Sequence, residues 1–369
     1  MHGMPASVTL APSQLDVSSH PSAPLSDLAP HLASARALRL LALAESSKQR
    51  VMADPKLAAF ARRIARRYIA GETLPEALQR AWDSVRRGHA VSLELVGESV
   101  RDRADAAEAT EEFVRVADQI RRTGLPSTVS LDLSHLGILI DQGLGQHNAM
   151  RVAQAAHEAA TTLKLSAEGS GRTDLVLDTY ELLSETFPEV GVTLQARLHR
   201  TPDDLSRLLQ RPGRIRLVKG AFEEPARVAH ARESAELTET YLGLAEALVT
   251  RGHPVAFATH DDVLLAELVR RHGEALHGDG VEFEMLLGIG DATLDRLHEA
   301  GYRTREYVVF GPEWWLYVLN RISEHPARLH TAVADALEPG HRARLQAEPL
   351  PDAASSSSGT SHRHATESA

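Results

Sequence analysis

Eight short β-type runs, each separated from the next by room for a helix, constrain this chain more than any other feature. They read VSLELVG (91–97), TVSLDLS (128–134), LKLSAEG (163–169), GVTLQARL (191–198), RIRLVKG (214–220), PVAFATH (254–260), VEFEMLLG (281–288) and REYVVFG (305–311). Most precede a segment of helical period, such as ADAAEATEEFVRVADQIRR, HNAMRVAQAAHEAATT or DDVLLAELVRRHGEAL. Strands alternating with helices imply right-handed βαβ units and a parallel sheet. Eight such units match a (β/α)8 barrel, which usually needs about 250 residues. The competing doubly wound sheet usually carries a GxGxxG turn after its first strand. Here that strand runs into LVGESV without one. The expected fold is therefore α/β, a TIM-type barrel preceded by an N-terminal helical arm.

The rest of the chain divides around that barrel. Residues 1–28 are rich in Ser, Pro and Ala without a sustained period and are expected to be disordered. Residues 29–88 hold the N-terminal helices, in stretches around 31–50 and 55–87, and residues 89–328 the barrel. Residues 329–369 are expected to form a C-terminal helix and a disordered tail, PLPDAASSSSGTSHRHATESA, whose His362 and His364 read as incidental. A net charge of -10 argues against nucleic acid and against a polybasic membrane anchor. The absence of Cys removes disulfides, thiolate metal sites and thiol catalysis together. Apolar runs such as LRLLALA (38–44) are too short to span a bilayer, and the N-terminus lacks a secretory layout. A cytoplasmic enzyme is expected.

In such a barrel, chemistry sits at the C-terminal ends of the strands. The residues there are Glu98, Ser134, Glu168, Gln195, Arg216, Lys219, Thr259, His260, Glu284 and Tyr307. No three of them have the spacing of a metal site, and no metal is expected.

Seven segments carry a family resemblance: RRYIAGETLPEALQ, AVSLELVGES, VTLQARL, RLVKGAFEEP, VAFATHDD, FEMLLGIG and REYVVFGPEWWLYVLNRISEHP. In order and spacing the chain resembles the proline dehydrogenases over residues 55–328. The resemblance implies FAD as cofactor and the oxidation of proline to pyrroline-5-carboxylate by hydride transfer to flavin N5. It implies a quinone or oxygen as electron acceptor, with peripheral membrane contact through a quinone. By that likeness Arg216 lies near the flavin N5 edge, where a fixed cation favours the reduced ring. Gln195 would hydrogen-bond the pyrimidine edge. Lys219, Gly220 and Ala221 would line the cofactor, and Thr259 and His260 would contact its nucleotide part. Arg216 and Tyr307 are the expected catalytic residues. Each also has a plain structural reading: a barrel-end salt bridge for Arg216, an ordinary turn for Gly220, and proximity to the helix-capping Asp261 for His260.

The substrate side departs from the family pattern. The last helix of the family carries a Tyr followed by two consecutive arginines that clamp the substrate carboxylate. Here Tyr317 is kept, Asn320 replaces the first arginine and Arg321 remains. Tyr317 and Arg321, four apart, share a helix face. The alternative for Arg321 is an ion pair with Glu324. The second strand places Asp132 where the family has a lysine, and the third places Ser166 where it has an aspartate. Asp132, Ser166, Tyr307, Tyr317, Asn320 and Arg321 are the expected substrate-binding set. Loss of two cations and gain of one carboxylate leave two alternatives open: the same flavin chemistry on another cyclic amine or N–H substrate, and a non-catalytic flavin-binding homologue.

Overall fold

Side chains on a strand alternate between two faces, and closing eight strands into a ring turns those faces into an outside and a lumen. The computed structural model, which describes residues 25–97, 100–325 and 328–337, contains that ring. Its strands are β1 (Ala90–Leu95), β2 (Ser127–Leu131), β3 (Leu163–Leu165), β4 (Gly191–Gln195), β5 (Ile215–Val218), β6 (Val255–Ala258), β7 (Val281–Leu286) and β8 (Thr304–Phe310). Neighbours pair in parallel in chain order, and β1 pairs with β8 from Ala90↔Arg305 to Leu95↔Phe310, which closes the barrel.

Four helices precede the barrel: α1 (Leu25–Leu43), α2 (Glu45–Ala53), α3 (Pro55–Ala65) and α4 (Leu74–Arg86). Those alternating with the strands are α5 (Arg103–Thr123), α6 (Gln142–Glu158), α7 (Thr173–Thr186), α8 (Thr201–Leu208), α9 (Ala235–Thr250), α10 (Asp262–His272) and α11 (Asp291–Glu299). Two more, α12 (Trp314–Glu324) and α13 (Arg328–Leu337), follow β8. Short polar residues stop the strand-to-helix loops and start the helices. Asp102, Asp141, Ser234 and Asp261 each cap the following helix by accepting a backbone N–H in its first turn. Before α4, Glu76 accepts from the backbone N–H groups of Glu72 and Thr73 at 2.9 and 3.1 Å. The stretch expected as one run, 55–87, is thus two helices divided by a capped turn. The first helix begins at Leu25, ahead of the expected boundary at 29. Glu98, His362 and His364 lie outside the described residues.

The two faces differ sharply in chemistry. Outward residues, among them Leu93, Leu131, Leu165, Val192, Leu217, Phe257, Phe283 and Val308, merge with the helices into one apolar core. Inward residues are mostly polar, whereas TIM-barrel lumens are usually filled with branched aliphatic layers. Lys164, 1% exposed, reaches from β3 across the lumen to Glu284 of β7, Nζ to Oε2 3.0 Å, with Glu282 at 3.7 Å. Glu284 Oε1 accepts from Ser92 Oγ at 2.9 Å and faces Arg216 at 3.4 Å. One layer below, Arg305 grips both oxygens of Glu282 at 3.0 and 3.1 Å.

A second apolar cluster roofs the mouth of the lumen. It joins Tyr68 and Ile69 of the N-terminal arm, Tyr307 and Val309 of β8, and Trp314, Trp315, Val318 and Ile322 of α12. The arm meets the barrel closely at Gly288, just past β7. Its φ is +76°, and a Cβ there would lie 1.7 Å from the Arg67 carbonyl oxygen.

Two outcomes follow. Gly288→Ala strains the backbone and pushes the arm away, and chemical denaturation should register a loss of about 2 kcal/mol or more. Burial opposes ionisation of Glu284, but Lys164, Arg216 and Arg305 outweigh it and hold its carboxyl down to about 2, against an ordinary 4.5. A depressed carboxyl adds stability that is complete above about pH 4.5 and lost as pH falls through about 2. Glu284→Gln should flatten that acid limb of the stability curve. An unchanged limb would show that the carboxylate does not carry it.

Candidate active site

Arg216 is the centre of the mouth. Its register opposite Thr193 and Ala256 points it inward from β5, and it is 5% exposed. Nε donates to Thr193 Oγ1 at 2.9 Å and Nη2 to Ser166 Oγ at 3.0 Å, while Nη1 lies 3.5 Å from Ser130 Oγ and 3.4 Å from Glu284 Oε1. Its guanidinium carbon sits 4.6 Å from the Tyr307 ring centroid, within the range of a cation–π contact. Five fixed neighbours leave the group no rotameric freedom. The salt bridge anticipated for Arg216 therefore exists, but as one side of an arginine that also presents a face to the mouth.

Tyr307 and Ser166 meet at a carboxylate that sequence reasoning did not select. The Tyr307 hydroxyl donates to Glu94 Oε2, and Ser166 Oγ donates to the same oxygen at 3.0 Å. Ser166 and Tyr307 hydroxyls are 3.3 Å apart. Glu94 comes from β1, on the inward parity of Ser92, and the alternation S-x-E in VSLEL was the available signal. Glu284 is among the strand-end residues named from the sequence; Lys164 is not. Ser166 itself lies just past the short β3, continuing its ladder through Ser166 N to Leu131 O at 2.9 Å. Asp132 follows β2 at the entry to a 3-10 turn, Leu133–Leu136, and its carbonyl accepts from His135 N.

The tips of β4, β5 and β6 form a neighbouring wall. Gln195 Nε2 donates to the Glu168 carbonyl at 2.8 Å, and its buried Oε1 has no hydrogen-bond partner. Glu168 spends its carboxylate on Ser134 N (2.8 Å) and Arg172 (2.6 Å). Gly220 has φ +113°, and a Cβ there would come within 2.8 Å of the Arg197 side chain and 3.1 Å of Gln195 Oε1. Arg197, absent from the expected set, is buried beneath Gly220 and braces the loop by donating to the carbonyls of His230 and Phe222. Lys219 pairs with Asp261 at 2.9 Å, and the Ala221 carbonyl accepts from Arg232. Asp261 also caps α10, and Thr259 Oγ1 accepts from the Asp261 N–H. His260 Nε2 accepts from Leu286 N at 3.3 Å, while its buried Nδ1 has no partner. Burial, with Arg328, Arg321 and His325 adding, holds this imidazole down to about 3, so it is neutral.

Helix α12 supplies the opposite wall. Trp314 and Trp315 are buried in the roof, and Trp314 Nε1 donates to Glu72 at 2.9 Å. Arg321 lies 5.6 Å over the Tyr317 ring and bridges to Glu324 at 2.9 Å. Its Nε and the Tyr317 hydroxyl are both buried without partners. Burial, with Glu94 adding, pushes the Tyr317 hydroxyl well above its ordinary range, so it stays a donor. Asn320 is half-buried on the same helix. Among the described residues no set of three His, Asp or Glu side chains could hold a metal ion, and no helix is long and apolar enough to cross a membrane.

The chain is similar to known proteins. The family model described as "Proline dehydrogenase" matches residues 77–324. Proline dehydrogenase 2 of Bacillus subtilis is 32% identical over 246 residues, 66% of this chain and 80% of that protein. Proline dehydrogenase of Deinococcus radiodurans is 32% identical over 271 residues, 71% of this chain and 86% of that one. A crystal structure of proline utilization A from Bdellovibrio bacteriovorus superposes with a TM-score of 0.69 at 17% identity, covering 85% of this chain but only 40% of that longer one, and thus shares the fold. With a family model spanning more than half its length and relatives aligned over most of theirs, this chain belongs to the proline dehydrogenase family.

Proposed function

We propose that the chain is an FAD-dependent proline dehydrogenase, oxidising proline to pyrroline-5-carboxylate. The observation that carries this reading is Arg216, a buried cation held by five neighbours and turned toward a mouth lined by Tyr307 and Ser166. When bound, FAD supplies a two-electron acceptor for the hydride leaving the carbon next to the substrate nitrogen.

The residues fit such a group. Gln195 Oε1 is a buried acceptor without a partner, suited to a ring N–H. Gly220, at φ +113°, turns the chain where a Cβ would crowd Arg197 and come within 3.1 Å of that same Gln195 Oε1. Gln195, Arg216, Lys219, Gly220, Ala221, Thr259 and His260 would hold the cofactor. Arg216 places a desolvated positive charge where reduction adds negative charge, at no cost of reorganisation.

Tyr317, Arg321, Tyr307 and Ser166 would hold the substrate, with Asp132 and Asn320 at its edge. Arg321 has donors to spare: one arm serves Glu324, and the unpaired Nε with the Tyr317 hydroxyl forms a donor pair for a carboxylate. A single charged hydrogen-bonding arm is worth about 1.5–3 kcal/mol, enough to retain proline with a weakened grip. The readings in which the substrate has drifted to another amine, or catalysis has been lost, are not favoured. Electrons would pass on to a quinone or dioxygen in the cytoplasm.

Purified protein should be yellow and should bleach anaerobically with proline faster than with pipecolate. Colourless protein that takes up no added FAD would end this reading. Arg321→Met should raise KM for proline roughly tenfold to a hundredfold with a smaller change in kcat. A drop in thermal stability at unchanged KM would instead reduce Arg321 to a partner of Glu324.

A further inference from the structure

Lys164 has no part in the chemistry described so far, yet it is among the largest fully buried side chains in the molecule. A lysine inside a barrel must be compensated, and the way it is compensated involves Arg216. Glu284 stands between the two cations: Oε2 to Lys164 Nζ is 3.0 Å, and Oε1 to Arg216 Nη1 is 3.4 Å. The shorter contact belongs to the lysine. Ser92 Oγ holds Oε1 from the β1 side at 2.9 Å and keeps the carboxylate from rotating fully onto the arginine. Glu282 lies 3.7 Å from Lys164, but both its oxygens are already gripped by Arg305. Burial pulls the Lys164 ammonium down to about 8 against the attraction of Glu284 and Glu282, so at neutral pH it is still charged.

We propose that Lys164 is a positioning residue for Arg216: by neutralising Glu284 from below, it keeps the arginine's charge directed at the mouth instead of quenched in the lumen. The inference rests on the flavin reading above and names the part of the lumen that sets the redox poise of the site. Without Lys164, the nearest cation to Glu284 is Arg216, and the carboxylate becomes its full counter-ion. Without the Glu284 charge, Arg216 acts on the mouth unopposed. The two changes therefore pull in opposite directions on any negative charge created above them, which is the charge the reduced flavin carries.

The test is the midpoint potential of bound FAD, measured spectroscopically at pH 7 in the purified full chain. Lys164→Met should lower it, Glu284→Gln should raise it, and the double variant should return it toward the wild-type value. In proline turnover, Lys164→Met should lower kcat about tenfold with KM within about twofold, since substrate does not touch the lysine. Should Lys164→Met not fold, Glu284→Gln and the double variant still carry the comparison. Potentials that do not move, or that move the same way in both single variants, would overturn the proposal and leave the flavin reading intact. A wild-type chain that binds no FAD would overturn both.

Discussion

A carboxylate buried between two cations organises this molecule. Glu284 is 2% exposed, and its charge is kept by the cations around it, with Lys164 and Arg216 in contact and Arg305 beyond them. Burying ions costs more than their attraction returns unless geometry is good and remaining lone pairs are filled. Here Ser92 fills one, and Thr193, Ser166 and Ser130 occupy the arginine's other donors. A lumen built this way is a poorer source of stability than an aliphatic one of the same volume. What it provides instead is a cation whose position is over-determined, at the depth where the strands end.

The roof is the second half of the same arrangement. Tyr307 belongs to β8, yet it packs with Trp314, Trp315 and the arm residues Tyr68 and Ile69. One ring thus joins the barrel wall, α12 and the N-terminal arm, and its face also receives Arg216. The arm is tied further to α12 through Glu72 and Trp314, and to α13 through Arg67 and Asp335. A shift of α12 would carry Tyr317 and Arg321 with it and disturb the stack on Tyr307. Arg321 pairs with Glu324, and its guanidinium lies over the Tyr317 ring with Nε left without a partner.

The barrel was legible in the strand runs because period two and period 3.6 alternate cleanly along the chain. The strand ends were less so. LKLSAEG is a strand for only three residues, since the loop after it must turn Glu168 back to the Ser134 amide. Gln195 ends β4, and Arg216 and Tyr307, though inside β5 and β8, fall within family segments. Lys164, Glu284's partner, lies in none of those segments, and its meaning appears only when β3 and β7 face each other across a closed ring. Glu94 was hidden for a related reason. It reads as the polar half of an ordinary alternation until β1 is brought opposite β3. Arg197 falls at the end of the run GVTLQARL, and its role under Gly220 depends on a positive φ that sequence marks only as a glycine.

The serine at position 166, where the family resemblance implies an aspartate, acquires a physical logic from Glu94. Ser166 Oγ lies 3.0 Å from Glu94 Oε2, and the Tyr307 hydroxyl donates to that same oxygen. An aspartate at 166, as the family resemblance leads one to expect, would set a second negative charge against the first in a desolvated mouth. Like charges that close cannot both ionise without a large penalty. A hydroxyl at that position donates to Glu94 and still accepts from Arg216 Nη2, so it serves both neighbours where a carboxylate could serve only the arginine. The carboxylate within reach of Tyr307 comes from β1, and the serine beyond β3 is compatible with it.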